Sequence, residues 1–186
     1  MTTGTPHREA ERRFLLRQLP DISCDRVLHL RQFYTQCDTE RKYSARFRLV
    51  NDQRSGEVTC LETHKIGGGL DIMETEYPID PRLYPDLRRL YGLGREIEKM
   101  RHVAICDGET WEIDVYHGCF AGLVVAELEM DDPHRAFAVP EAFGPTEEVT
   151  FWRGMKNASL SVNGLSDELK QRLRAWYGHD VWTMTA

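Results

Sequence analysis

The chain lacks a paired-thiol motif: its five cysteines (Cys24, Cys37, Cys60, Cys106, Cys119) are odd in number and scattered, with no Cys-x-x-Cys. That argues against a zinc knuckle and a thioredoxin-type redox site, and leaves reduced, mostly buried thiols as the expectation. It lacks an excess of positive charge, carrying 24 basic and 30 acidic residues for a net charge of −6, which disfavours duplex nucleic acid as a partner. No apolar run approaches the ~20 residues that span a bilayer, so no membrane contact is expected. Residues 1–13 are polar and charged where a secretion signal would be apolar, so a cytoplasmic location is the expectation, and there the acceptor sequence Asn157-Ala-Ser159 has no meaning. No Walker loop, His-Glu-x-x-His, Gly-x-Ser-x-Gly or dinucleotide fingerprint occurs, and the seven histidines do not cluster.

What is present is an ordinary globular composition, 41% hydrophobic and 29% charged over 186 residues, enough for one domain with a substantial core. No repeat or linker divides it. Residues 1–8 read as a flexible N-terminus and 9–186 as a single domain. From Glu9 to Glu129 the pattern is short strands separated by turns, interrupted by a helix over Pro81–Tyr91. Asp80 is its N-cap, Pro81 its first residue and Gly92 its stop, with Leu83, Leu87, Leu90 and Tyr91 as an apolar stripe. A short helix fits Asp132–Val139. A C-terminal helix begins at Ser166, aligns Leu169, Leu173 and Trp176, and ends at Gly178.

The strands carry charges in pairs two residues apart, and alternation puts both members on one face. Arg46 and Arg48 bracket Phe47, and Lys99 and Arg101 bracket Met100. Glu74 and Glu76 precede Tyr77, and Glu127 and Glu129 follow the apolar run 122–126. Glu9, Glu11 and Arg13 share a face if their segment is extended, and Asp114 adds a carboxylate on a further strand. Any one pair reads as the solvated face of a half-buried strand. A succession of them, of both signs, also fits a sheet that curls so that the charged faces converge. Periodicity alone does not choose between an inward and an outward charged face. Taken alone, Thr5–Leu16 fits an amphipathic helix as well as a strand. Alternation turns His64 and His102 away from the charged face, and Phe14, Phe47, Phe151 and the tryptophans read as packing on the opposite side.

In order, these pieces resemble the CYTH, or triphosphate tunnel metalloenzyme, family. Glu9-Ala-Glu11-Arg-Arg13-Phe14 is similar to its opening Glu-x-Glu-Arg-Lys-Phe strand, with Arg13 where lysine is usual. Arg46-Phe-Arg48, Thr63-His-Lys65 before Gly67-Gly-Gly69, the Glu74/Glu76 pair, Lys99-Met-Arg101, Asp114 with Gly118, and Glu127-Leu-Glu129 follow the family's sequence of motifs. Phe143-Gly144, Glu148-Val-Thr150 and Lys156-Asn-Ala158, with Arg153 nearby, resemble its terminal stretch. Each motif is weak alone, but the ordered set spans about residues 9–160.

The resemblance implies an α+β fold: a closed antiparallel barrel, or tunnel, of about eight strands with a charged lumen and flanking helices, and an opening segment that is a strand. It implies that Arg46, Arg48, Lys65, Lys99, Arg101, Arg153 and Lys156 bind a small-molecule triphosphate. Arginine would meet phosphate oxygens as a planar fork and lysine as a point charge. Glu9, Glu11, Glu76, Asp114, Glu127 and Glu129 are the implied ligands of Mg²⁺ or Mn²⁺, and Glu9, Glu11 and Arg13 the implied catalytic group. The implied activity is hydrolysis of tripolyphosphate to diphosphate and phosphate. A nucleotide or thiamine triphosphatase, a class IV-type adenylate cyclase and a non-catalytic polyphosphate or nucleotide sensor remain as alternatives, in a monomer or homodimer. Arg13 keeps the family's charge but is bulkier and does not readily lose its proton.

Overall fold

The computed structural model describes residues 4, 6–38, 40–68, 70–152 and 154–182, with the side chain of Glu9 outside the description. Among the described residues nine strands form one antiparallel sheet: β1 His7–Leu16, β2 Arg26–Asp38, β3 Tyr43–Asp52, β4 Val58–Gly68, β5 Asp71–Ile79, β6 Leu93–Cys106, β7 Glu109–Tyr116, β8 Val124–Met130 and β9 Thr146–Glu148. The order across the sheet is β5-β4-β3-β2-β6-β7-β8-β1-β9. The first residues of β1 also pair with β5, the strand at the other end of that order, His7 opposite Glu74 and Glu9 opposite Ile72. The segment that fits either helix or strand is thus a strand. Each of its stretches finds a partner edge: β5, then β8, with β9 flanking its last three residues. His7 and Arg8 belong to the sheet, which shortens the loose end expected over residues 1–8; residues 1–3 lie outside the description.

Turn chemistry fixes the hairpins. Asp107 and Gly108 both have positive φ, 53° and 81°, the conformation a two-residue turn between twisted strands requires. Between β3 and β4, Asp52 Oδ1 accepts the N–H groups of Arg54 and Ser55 at 2.9 and 3.1 Å. Gly94 (φ 58°) lets β6 pass a helix closely, since a Cβ there would lie 2.2 Å from the Ser161 carbonyl oxygen.

The helical segments partly follow expectation. Asp80 caps a 3-10 turn at Pro81–Leu83 by accepting the Arg82 N–H at 3.0 Å, and α1 runs Tyr84–Tyr91. Its buried face is not the expected stripe: Leu83, Leu90 and Tyr91 are exposed, while Tyr84 and Leu87 pack on Phe33, Phe47 and Cys60. Because the first turn is 3-10, the spacing counted from Leu83 is out of phase with the α-helical face. No helix forms over Asp132–Val139. Asp132 instead accepts the His134 N–H at 2.9 Å in a local turn, and Phe137 leaves it to pack on Phe14 and Trp111. α2 is Asn157–Asn163 and α3 Asp167–Tyr177, the latter capped by the Ser166 hydroxyl and closed by left-handed Gly178, as the sequence predicts. Phe151 is exposed rather than packed, because it lies in the turn between β9 and α2. All five cysteines are free: Cys60 is buried and the other four half-buried. Among the described residues no helix is long and apolar enough to cross a membrane.

The core divides by sheet face. Phe14, Leu16, Trp111, Ile113, Ala126 and Leu128 line the face opposite the charges and pack against Phe143. The charged face is not charged along its whole length. Two residues beyond Arg13, Lys99, Asp114 and Glu127 on the same face stand Leu15, Ile97, Tyr116 and Val125, and all four belong to a cluster with Leu160, Leu169, Leu173 and Tyr177 of α2 and α3. The expectation from sequence is helices that flank the barrel. Two of them instead seal one end of the charged face, because that face turns apolar there. Leu160 and Leu173 are fully buried in this seal, each worth about 1.5–3 kcal/mol of transfer free energy.

Candidate active site

Register brings the charged pairs together. Arg13 stands opposite Glu127 and Glu11 opposite Glu129 across β1 and β8. Glu112 is opposite Glu127, and Asp114 opposite Arg101, across β7 and its neighbours. On the other wall Arg46 faces both Tyr34 and Thr63, Arg48 faces Gln32, and Lys65 faces Glu74.

The first network centres on Arg101. Its Nε and Nη2 donate to the two oxygens of Asp114, each at 2.8 Å, Nη2 also reaches Glu127 Oε2 at 2.7 Å, and Nη1 meets Glu112. Lys99, fully buried, donates to Asp114 as well. Burial works against charge here, but Arg101 and Lys99 outweigh it and drive the Asp114 carboxyl far below its usual range. Arg101 is likewise held charged by Asp114 and Glu112 despite burial. Lys99 moves down, through burial first and the adjacent Arg101 next. The two partners are consistent because Arg101 already neutralises Asp114, so Lys99 feels a second cation beside its anion. Asp114 therefore spends its oxygens on two cations.

The second network ties Lys65 to Glu74, and places Arg46 Nη2 at 3.9 Å from both Glu74 and Glu76. Glu76 accepts the Thr63 hydroxyl at 2.8 Å. At that distance Arg46 is attracted but not hydrogen-bonded to the carboxylates, and its buried Nε has no partner among the described residues. Arg48 donates its Nε to Gln32 at 3.0 Å, and none of its contacts among the described residues is a carboxylate ion pair. Burial, with Arg46 and Arg101 alongside, lowers its affinity for its proton. Cations kept in a half-buried place with incomplete partners are suited to an anion brought from outside.

Between these networks lies the Glu11–Glu127 pair. Glu11 is held down to about 2, where Arg13 and then Lys65 overcome its burial, and it shares a hydrogen bond with Glu127. Glu127 is pushed up to about 8, by burial first and Glu11 next. One ionised and one protonated carboxyl thus face each other. Glu129 is pushed up too, by partial desolvation first and then by Glu112, but much of the residue is open to water, which screens the effect. Arg13 is buried, with Nε 2.9 Å from Glu11 and Nη1 donating to the Met155 carbonyl at 3.1 Å.

A cavity of about 490 Å³ opens on this ground, walled by Glu11, Arg13, Tyr34, Arg46, Lys65 and Lys156. Of the sequence-predicted residues, Glu11, Arg13, Arg46, Lys65 and Lys156 line it; Arg48, Lys99, Arg101, Asp114 and Glu127 lie in the networks around it, and Glu76 on its β5 flank. Glu129 lines a separate recess of about 480 Å³ with Glu109, Asp131 and Asp132. Glu9 is placed by its backbone only, and Arg153 lies outside the described residues. Sequence reasoning overlooks Gln32, Tyr34 and Glu112. Glu112 has the same two-residue spacing from Asp114 that flags the other pairs, whereas Gln32 and Tyr34 share their face with Leu28 and Leu30 and give no charge signal. His64 points away from the charged face, as alternation predicts, with Nδ1 2.7 Å from the Tyr43 hydroxyl.

The donors that would hold a hard divalent cation are carboxylate oxygens, and the Glu11–Glu127 pair fits one: two neighbouring carboxyls, one held low and the other pushed up by it, offer oxygens that a cation could take in place of a proton. Among the described residues no three such side chains converge closely enough to form a complete protein cage.

Fold and face together define an antiparallel-sheet protein that presents an anion cradle bordered by carboxylates. No family model matches the sequence. It is 34% identical over 158 residues to an inorganic triphosphatase of Nitrosomonas europaea, covering 83% of this chain and 97% of that one. It is 31% identical over 156 residues to an inorganic triphosphatase of Acetivibrio thermocellus, covering 84% and 94%. A solved crystal structure of an inorganic triphosphatase superposes with a TM-score of 0.57 at 29% identity, over 83% of this chain and 94% of that one. The chain belongs to the CYTH, or triphosphate tunnel metalloenzyme, family.

Proposed function

We propose that the protein hydrolyses inorganic tripolyphosphate to diphosphate and phosphate, with Mg²⁺ or Mn²⁺, inside a tunnel that the sheet closes through the β1–β5 pairing. The observation that carries this reading is the cavity walled by Arg13, Arg46, Lys65 and Lys156, in a chain that aligns almost end to end with inorganic triphosphatases. A triphosphate bears several negative charges, and Arg46, Arg48 and Lys65 would take its oxygens, displacing the long contacts to Glu74 and Glu76. Lys99 and Arg101 offset the carboxylates of the floor, Asp114 and Glu112, which would otherwise repel the substrate. Glu11 and Glu127, together with Glu9 and Glu129, would hold the cation, and substrate oxygens and water would complete its shell. The metal, when bound, supplies charge neutralisation and activation of a water. Arg13, between Glu11 and Glu127, would meet the terminal phosphoryl group as the bond to the leaving diphosphate breaks. The chemistry needs positioning and charge stabilisation rather than a protein nucleophile.

The tie of Arg13 to Glu11 and Met155 favours one further reading, triphosphate binding with slow turnover. Phosphate release from tripolyphosphate and from ATP, with Mg²⁺, Mn²⁺ or EDTA, tests both. Metal-dependent release from tripolyphosphate above that from ATP is expected; binding without release selects the second reading, and cyclic nucleotide from ATP refutes both.

A further inference from the structure

Arg13 is gripped from outside the charged face by one short stretch of chain. β9 ends with Glu148 opposite Phe14, and the next residue, Val149, donates its N–H to the Arg13 carbonyl at 2.8 Å. A continued ladder would offer a main-chain carbonyl to the Arg13 N–H. Here the N–H donates to the Thr150 hydroxyl instead, at 3.0 Å, and both residues are buried. A hydroxyl has a single proton. Thr150 donates its proton to Glu148 Oε1 at 2.7 Å, which leaves its lone pairs for Arg13. Glu148 is itself fixed by the Arg12 guanidinium, Nε to Oε1 at 2.7 Å and Nη2 to Oε2 at 2.8 Å. A few residues on, the Met155 carbonyl takes the Arg13 side chain. Main-chain N–H, main-chain carbonyl and guanidinium are all held by 149–155.

We propose that Thr150, oriented by Glu148, is a positioning residue for Arg13: its hydroxyl replaces a ladder carbonyl and sets where the guanidinium meets the terminal phosphoryl group. This rests on the reading of Arg13 as part of the hydrolytic site. A strand end that needed only capping would be served by any acceptor, and a four-residue chain running from half-buried Arg12 and Glu148 through buried Thr150 to Arg13 does more than that. It locks the acceptor in one orientation. Small misplacements of a group at a reacting centre cost on the order of a hundredfold in rate, while substrate binding is spread over many cations and tolerates them.

The test compares wild type with Thr150→Val, Thr150→Ser and Glu148→Gln, all with Mg²⁺. For tripolyphosphate, Thr150→Val should lower kcat about tenfold with KM within about twofold, Thr150→Ser should return kcat to within about twofold of wild type, and Glu148→Gln should lower kcat less. Equal kcat in all four proteins, or a Thr150→Val loss that serine does not rescue, overturns the proposal. A second readout does not need turnover. In ¹⁵N-arginine-labelled protein the Arg13 Nε signal should shift or broaden in Thr150→Val and recover in Thr150→Ser. Wild type that binds but never cleaves triphosphate would defeat the hydrolase reading alone, and the Nε signal would still decide this one: unchanged in Thr150→Val, it overturns the proposal.

Discussion

Metal-free protein should lose stability as pH rises from 5 to 8, and Glu127 should be the cause. Its carboxyl is buried and raised from 4.5 to about 8, by burial and by Glu11. Between those values the folded state keeps a proton that the unfolded chain has released. Stability from this group is complete below 4.5 and disappears as pH climbs through 8, with a slope approaching about 1.4 kcal/mol per pH unit. Over the whole window the ceiling is about 5 kcal/mol, the size of a modest domain's entire stability. Glu11 works in the opposite sense, since its folded value is about 2; its contribution is present above 4.5 and lost only as pH falls toward 2, so the windows do not overlap. His102, lowered by burial, adds stability as pH rises through its own range and partly masks the slope. Subtracting Glu127→Gln removes that mask, because His102 is common to both proteins. Urea unfolding in EDTA at pH 5, 6, 7 and 8 should show the wild-type minus Glu127→Gln difference falling by about 2–4 kcal/mol. A difference that stays flat across this range would refute the claim that Glu127 holds its proton in the folded protein.

The same proton should leave when the cation arrives: at pH 7 a carboxyl of this kind is about nine-tenths protonated, so calorimetry of Mg²⁺ or Mn²⁺ binding in two buffers should report ~0.9 proton released, and almost none in Glu127→Gln. Arg48→Ala should weaken triphosphate binding by about ten- to a hundredfold without lowering the thermal midpoint of the ligand-free protein, since Arg48 sits beside Arg46 and Arg101 and donates to the neutral Gln32. Trp111→Ala, which empties a fully buried site packed edge-on by Phe14 and Phe143, should cost about 3–5 kcal/mol in urea unfolding and leave triphosphate affinity in the surviving folded fraction unchanged.

Strand polarity was the legible part of this molecule. Charges two apart, as in Arg46/Arg48 and Lys99/Arg101, must share a face of an extended chain, and the structure assembles them on one face through register alone. The caps at Asp80 and Ser166 were legible for a similarly local reason, a side-chain oxygen placed to take an orphan N–H. What local pattern does not carry is where a face changes character along its length. Leu15, Ile97, Tyr116 and Val125 have the parity of the charged residues, and only their coincidence on four neighbouring strands makes the seat for α2 and α3. The strand choice for residues 7–16 was equally hidden, because its partners lie at 72–74, 125–130 and 146–148. The Thr150 hydroxyl is beyond sequence for the same reason: a side chain standing in for a ladder carbonyl leaves no periodic trace.

The placement of β1 also has a consequence for how the chain is made. Arg13 leaves the ribosome more than a hundred residues before Glu127, Glu148 and Thr150, against which it must pair. At the usual 5–20 residues per second, β1 waits on the order of ten seconds with its apolar Phe14, Leu15 and Leu16 unburied. During that interval the nascent hairpins β2–β3 and β4–β5 can form from neighbouring sequence, but β1 can complete its pairing only once β8 and β9 exist. Chains cut short before residue 146 would therefore leave β1 without β9 and the clamp beyond it, a ready substrate for quality control rather than a smaller working protein.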